Sequence, residues 1–401
     1  MNEISLPAAP SPLALYIHWP WCLKKCPYCD FNSHATPNGA PVDDDMAERY
    51  LRAVMADMTL WQDQGITGNL VSIFFGGGTP SLMKPDQLAR LISHAHKTWG
   101  VLPETEITVE CNPTSSSKTL FSGLASAGVN RVSVGVQGLR DDDLSFLGRE
   151  HNAAQALETL SHAVHAMDGH VNADVMYGLP YQKLGVWRDD LTRLAEMGIS
   201  HLSAYQLTIE MQTAFYSQVA RGLWHPLEND AQADFFEATQ TILRERGFEN
   251  YETSNFARPG HACRHNLHVW RYQPYIGVGA GAHGRALING EWCATTRLKM
   301  PTKYMENIEE KAFWAGSSTP LTLPSTAQEA FMMGLRLAEG VNMEDIEKRF
   351  GRAACEDSLD FKALDRFVRL GMIRQSRTHV CLTSAGWGLL DSLLREILIA
   401  L

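Results

Sequence analysis

Tyr16-Ile-His-Trp-Pro-Trp-Cys22-Leu-Lys-Lys-Cys26-Pro-Tyr-Cys29-Asp-Phe31 sets three cysteines at C-x3-C-x2-C, directly behind a short apolar run that reads as a strand. Each iron of a [4Fe-4S] cluster takes one soft anionic ligand, so three thiolates hold three irons and leave the fourth open to another ligand. That points to chemistry at iron beyond simple electron storage. Zinc is the competing reading. It prefers four closed ligands, and no second cysteine pair follows at zinc spacing, but His18 and His34 stand near enough to complete a Cys3His set. The other five of the 8 cysteines (Cys111, Cys263, Cys293, Cys355, Cys381) are scattered and read as reduced thiols, not a disulfide framework.

Outward from the cysteines a beat repeats. Asp43 to Asp45 open an amphipathic helix with Tyr50, Leu51, Val54, Met55 and Met58 on one face. Val71 to Phe75 is a strand ended by Gly76-Gly77-Gly78-Thr79-Pro80, and Pro85 opens a helix with Leu88, Leu91, Ile92 and Ala95 at i, i+3, i+4 and i+7. Ile107 and Val109, then Val132, Val134 and Val136, then Val171 to Met176 and His201 to Leu207 give further strands, with helical patterns between them. Strands alternating with helices predict right-handed βαβ units and a parallel sheet, barrel-like or doubly wound. The cysteines, the triple glycine, Glu110, Gln137, Asp174 and Gln206 are all expected at or just after strand C-terminal ends, which form one active face in such folds.

The second half changes character. A helix spans about Asn229 to Glu249, followed by a loop-rich stretch holding His261-Ala-Cys-Arg-His-Asn-Leu-His-Val-Trp270 and the glycines between Tyr275 and Gly284. From about Ser325 the pattern predicts three short helices, a small β element at His379 to Leu382, and one amphipathic helix from Ala385 to Ala400, a winged-helix-like outline. The Leu-rich end, Leu389 to Leu401, fits core packing or a homodimer contact. Composition sets outer bounds. With 401 residues, 45% of them hydrophobic, two or three domains are expected. The absence of a basic N-terminal region or a long apolar run points to a cytoplasmic protein, at most peripheral at a membrane. A net charge of -10 argues against nucleic acid as a partner.

The cysteine spacing, with Tyr28 before the last cysteine, resembles the radical S-adenosylmethionine (SAM) superfamily. Gly76 to Pro80, Glu110-Cys-Asn-Pro113, Ser133-Val-Gly-Val-Gln137, Leu147-Gly-Arg149, Asp174 to Pro180 and His265-Asn266 to Trp270 resemble its HemN/HemW branch across essentially the whole chain. The resemblance implies a partial (β/α)6 barrel over residues 1–225, a flanking segment over 226–315 and a mostly helical, winged-helix-like domain over 316–401. It implies that Cys22, Cys26 and Cys29 hold the cluster, that SAM chelates the open iron, and that one electron cleaves its sulfonium to a 5'-deoxyadenosyl radical. It also places Tyr16, Tyr28, Gly77, Gly78, Thr79, Glu110, Gln137, Arg149 and Asp174 against SAM. From the residues alone, Glu110 and Asp174 could instead cap helices or pair with Arg149, and Gln137 could satisfy buried backbone.

Two activities share this branch: oxygen-independent coproporphyrinogen III dehydrogenation, and haem binding with delivery to membrane-bound acceptors such as respiratory enzymes. The dehydrogenase carries a further cysteine two residues beyond the cluster motif and a long N-terminal extension. Here that position is Phe31, and only 15 residues precede Tyr16. Both features resemble the haem chaperones. Their His-Asn-x-x-Tyr-Trp motif implies His265 as haem ligand; Val269 replaces the tyrosine here, and His268 and Cys263 are neighbouring alternatives. After Gln137 the family's Ser-Phe is replaced by Gly138-Leu139.

Overall fold

The computed structural model describes residues 12–310 and 316–400. Six strands, β1 (Pro12–Trp19), β2 (Asn69–Gly77), β3 (Gly100–Cys111), β4 (Arg131–Gln137), β5 (Val171–Tyr177) and β6 (His201–Gln206), pair in parallel in chain order. Between them lie α1 (Asp44–Asp63), α2 (Pro85–Thr98), α3 (Lys118–Ser126), α4 (Asp141–Phe146), α5 (Ala153–Ala166) and α6 (Leu184–Ala195). Beyond β6 come α7 (Ala214–Ala220), α8 (Asn229–Glu245), β7 (Glu249–Glu252), β8 (Asn255–Ala257), α9 (Arg264–Trp270), β9 (Tyr275–Val278), β10 (His283–Ile288), β11 (Glu291–Arg297), α10 (Pro301–Glu309) and β12 (Gly316–Pro320). The whole sheet runs β12-β11-β10-β9-β1-β2-β3-β4-β5-β6-β8-β7 with unjoined ends, an open partial barrel.

The period-two alternation of the strands decides which side chains line the barrel. Val132, Val134 and Val136 of β4 join the apolar core under the helices, as do Ile73 and Phe75 of β2 and Ile107 and Val109 of β3. The intervening positions, Ser72, Glu106, Glu110, Ser133, Asn172, Asp174, His201 and Ser203, therefore face inward. Helix signals in the sequence act where expected: the Asp43 carboxylate accepts from the Met46 amide at 2.9 Å, and Tyr50, Leu51, Val54 and Met58 are buried.

Four elements differ from the sequence reading. The glycine-rich stretch contributes β9, which pairs in parallel with β1 as a seventh core strand, Tyr16 opposite Gly277. His265 to Trp270 are helical. The C-terminal part holds four helices, not three: α11 (Leu323–Gly334), α12 (Met343–Phe350), α13 (Arg352–Ser358) and α14 (Phe361–Arg369). The last helix is broken into α15 (Ser384–Trp387) and α16 (Leu390–Ile397), with Gly388, a poor helix former, at the break. Three short strands, β13 (Val341–Asn342), β14 (Ile373–Gln375) and β15 (His379–Leu382), form the small β element. Leu390, Leu393, Leu394 and Ile397 are buried in this domain's own core. The residues around the expected boundary before position 316, 311–315, lie outside the described residues, as do the N-terminal 1–11 and Leu401. Among the described residues no helix is long and apolar enough to cross a membrane.

Candidate functional site

The cysteine loop is shaped by its backbone. The Cys29 amide donates to the Cys26 carbonyl (3.2 Å), the Thr36 amide to the Cys22 carbonyl (2.9 Å), and the Lys25 ammonium to the carbonyls of Phe31 and Ser33 (3.2 and 3.3 Å). From outside, the Phe215 amide donates to the Pro27 carbonyl (2.9 Å). Cys22, Cys26 and Cys29 are free thiols, partly exposed. They line one cavity of about 360 Å³ together with Tyr28, Gly77, Gly78, Thr79, Glu110, Gln137, Arg149 and Asp174. Burial pushes the Cys22 thiol up to about 11 and also raises Cys29.

The nine residues expected at SAM do not all meet. Tyr16 lines a neighbouring cavity and not this one, its hydroxyl 3.0 Å from His18 Nδ1. Asp174 lies in the middle of β5, not at its end, and accepts from Ser133 Oγ (2.6 Å) and Asn172 Nδ2 (2.8 Å). The glycines have an internal reason. A Cβ at Gly77, where φ is +110°, would sit 2.3 Å from the His18 ring, and one at Gly78 would sit 2.6 Å from the Trp21 carbonyl. The Gly77 amide donates to Glu110 Oε2 (3.1 Å), Gly78 to the Trp19 carbonyl (2.7 Å) and Thr79 to the Trp21 carbonyl (2.8 Å). The three amides fasten the loop to β1, to Trp21 just beyond it and to β3, and none is left over as a donor to a ligand.

Arg149 donates to the Gly135 carbonyl (3.1 Å) and lies 3.4 Å from Cys26 Sγ, its positive charge beside the sulfurs. It pairs with neither Glu110 nor Asp174. Burial and the charge of Asp174 push the Glu110 carboxyl up to about 8. Gln137 holds a left-handed backbone (φ +63°) where β4 slips register against β5, a conformation that costs a non-glycine residue of order 1–3 kcal/mol and that aims its side chain into the cavity. Met176 and Tyr205 line the cavity without having been singled out in the sequence. Met176 shares its inward phase with Asp174, two residues earlier on β5, and that parity was the available signal.

The second cavity, about 700 Å³, shares Asp30, Phe31, Gly77, Glu110 and Tyr205 with the first. His265 lines it. The α9 N-terminus rests on Glu106, which accepts from the amides of Arg264 (3.1 Å) and His265 (3.2 Å), as a carboxylate at a helix start should. His265 Nδ1 is 2.9 Å from the Ser72 hydroxyl, its ring leans on Phe74 with centroids 5.0 Å apart, and burial lowers its pKa to about 3. The imidazole is thus neutral, and with Ser72 on Nδ1 its Nε2 is left for the cavity. The two alternatives are committed elsewhere: His268 Nε2 to the Pro274 carbonyl (2.7 Å) and Cys263 to Glu106 (3.2 Å). Neither lines the cavity.

The donor set fits a cluster better than zinc. His18 is held at both ring nitrogens, by Tyr16 and by the Asn32 carbonyl (3.0 Å), so it does not complete a Cys3His site. Among the described residues no three His, Cys, Asp or Glu side chains converge on one metal-ion position, whereas a four-iron cluster spreads its thiolates over three irons.

A parallel open barrel with three cysteines behind its first strand defines a radical SAM protein, and residues 16–194 match the Radical SAM superfamily while 321–389 match the HemN C-terminal domain. The chain is 37% identical to the heme chaperone HemW of Haemophilus influenzae (89% of this chain, 91% of that protein) and 35% identical to HemW of Escherichia coli K12 (96% and 98%). It is 34% identical to the mitochondrial radical S-adenosyl methionine domain-containing protein 1 of Bos taurus (98% and 89%). The chain belongs to the HemW family. The coproporphyrinogen III oxidase HemN of Escherichia coli, a radical SAM enzyme, has the same fold, with a TM-score of 0.79 at 22% identity over 96% of this chain and 90% of that one.

Proposed function

We propose that this protein is a haem chaperone that binds haem beside a SAM-ligated [4Fe-4S] cluster and delivers it to membrane-bound acceptors such as respiratory enzymes. Cys22, Cys26 and Cys29 hold the cluster. When bound, it supplies one open iron for the methionine end of SAM and an electron for the sulfonium. Arg149 offsets the thiolate charge; Tyr28, Gly77, Gly78, Thr79, Glu110, Gln137 and Asp174 wall the SAM pocket, with Tyr16 beside Glu110 at the junction of the two cavities. Haem occupies the larger cavity, ligated by His265. The protein works in the cytoplasm, visiting the membrane at its periphery.

One observation carries this reading: a neutral imidazole pinned at Nδ1 by Ser72 lines a cavity of about 700 Å³ whose wall is shared with the cluster pocket. A metal-ligating histidine is held in this way, one nitrogen fixed so that the other is presented. Phe31, where the dehydrogenase-type relatives carry a further cysteine, lies in that shared wall and is exposed. The test loads reconstituted protein with haem and incubates it anaerobically with haem-depleted respiratory membranes. Transfer that restores the acceptor's haem spectrum supports the reading. Formation of protoporphyrinogen from coproporphyrinogen III with SAM and reductant would replace it with the dehydrogenase.

A further inference from the structure

The larger cavity takes one of its walls from the C-terminal domain. Arg336, just beyond α11, lines it, and the segment that follows is stitched to the barrel: Leu337 bridges Glu252, and the Ala338 amide donates to the Tyr251 carbonyl at 3.0 Å. This fixes the guanidinium against the ring of Trp270, 5.0 Å from its centroid, at the C-terminal end of α9, the helix whose first turn carries His265.

Arg336 differs from its neighbours in pairing. Arg271 is bound to Glu339 and Arg285 to Glu329, both as two-point carboxylate contacts. Arg336 forms no ion pair among the described residues, and its Nε, sealed from solvent, finds no hydrogen-bond partner there. The acid whose charge it feels, Glu252, is engaged by the Ser254 amide (3.0 Å) and by Asn255. Arg336 therefore lines the cavity with no carboxylate partner among the described residues, and a guanidinium's planar fork suits a carboxylate. The other basic side chain of the cavity, Lys299, is exposed at its edge.

Position matters as much as charge. Trp270 stands five positions beyond His265, about 7.5 Å along the helix axis, and Arg336 beside it lines the same cavity as the imidazole. Trp270, Tyr275, Val269 and Phe31 supply flat or apolar wall to that cavity. The ligand this describes is planar, with its metal at the centre and a carboxylate at its edge. Resting on the haem reading above, we infer that Arg336 binds a haem propionate, so that the C-terminal domain supplies the anion anchor while the barrel supplies the metal ligand.

The experiment compares haem with haem dimethyl ester, whose propionates carry no charge, by Soret titration of reconstituted protein. Wild type should bind haem about 10- to 100-fold more tightly than the diester, the range expected when a charge-assisted hydrogen bond is removed. Arg336→Gln should reduce that preference to about threefold or less, with the diester bound as in wild type, and Arg336→Lys should keep part of it. Three results overturn the inference: no preference in wild type, an unchanged preference in Arg336→Gln or its loss in Lys299→Gln instead, or equal weakening of both ligands, which would reduce Arg336 to packing on Trp270. Failure of wild type to bind either ligand would sink the haem reading itself, and with it this one.

Discussion

Replacing Ser72 with alanine removes one oxygen, 2.9 Å from His265 Nδ1, and leaves the ring in place between Phe74 and the α9 backbone. The substitution has two separable costs. In the cluster-free protein a buried nitrogen loses its partner, which costs about 1–3 kcal/mol of stability. In the haem-loaded protein the loss is in presentation: with no acceptor at Nδ1, the tautomer and ring orientation that direct Nε2 to the cavity are no longer held, and affinities fall about 10- to 100-fold when such supporting partners are removed. Denaturant unfolding measures the first and Soret titration the second, with the Kd of Ser72→Ala compared with that of wild type. Binding within twofold of wild type would refute the argument that Ser72 makes His265 a ligand, even if the unfolding cost were found.

The remaining predictions concern the frame around the two cavities. Gly77→Ala, with φ at +110° and a Cβ 2.3 Å from the His18 ring, should destabilise by about 2–5 kcal/mol, the sum of left-handed strain and overpacking. Adding His18→Ala should recover the overpacking share of about 1–3 kcal/mol, and an additive double mutant would show the glycine is needed for something other than that ring. Glu110 keeps its proton up to about pH 8 when folded but releases it near its ordinary 4.5 when unfolded, so it erodes the stability of the cluster-free protein as pH rises through that window. The slope is at most about 1.4 kcal/mol per pH unit; Glu110→Gln should flatten it, and matching pH profiles for the two proteins would contradict the assignment. Asp57→Ala strips the fully buried Arg297 of carboxylate contacts at 2.6 and 3.0 Å, and Tyr304 of one at 2.9 Å. A cost of about 3–5 kcal/mol is expected, and one below about 1 kcal/mol would mean the pair relaxes to water.

What could be read in advance was local. The alternation of valines at 132, 134 and 136 identified the strand and placed Ser133 and Gly135 on the opposite face, and the C-x3-C-x2-C spacing marked the loop that the fold sets behind β1. Long-range pairing was not visible. Nothing near Tyr275 announces that Ile276 will lie beside Leu15, because parallel register is set by partners more than 250 residues away. His265 to Trp270 is too short and too polar for a helical period to stand out, and its helix is stabilised by Glu106, some 160 residues earlier. The glycine triplet reads in the sequence as the turn that ends a strand, and by resemblance as a contact for SAM; what requires glycine at 77 and 78 is the protein's own His18 ring and Trp21 carbonyl, which only the folded register brings there. Tyr16 and Asp174 were assigned by motif, and their separation from the cysteine pocket, or their prior engagement, depends on side-chain geometry that a motif does not carry.

Haem binding in the cavity beside the cysteine loop turns on His265 as the ligand. Its most direct test is an anaerobic haem titration of the reconstituted protein alongside His265→Ala and His268→Ala, followed in the Soret region. Wild type should take one haem per chain, His268→Ala should keep the same spectrum and affinity, and His265→Ala should lose the histidine-ligated spectrum. An unaltered spectrum in His265→Ala would contradict it.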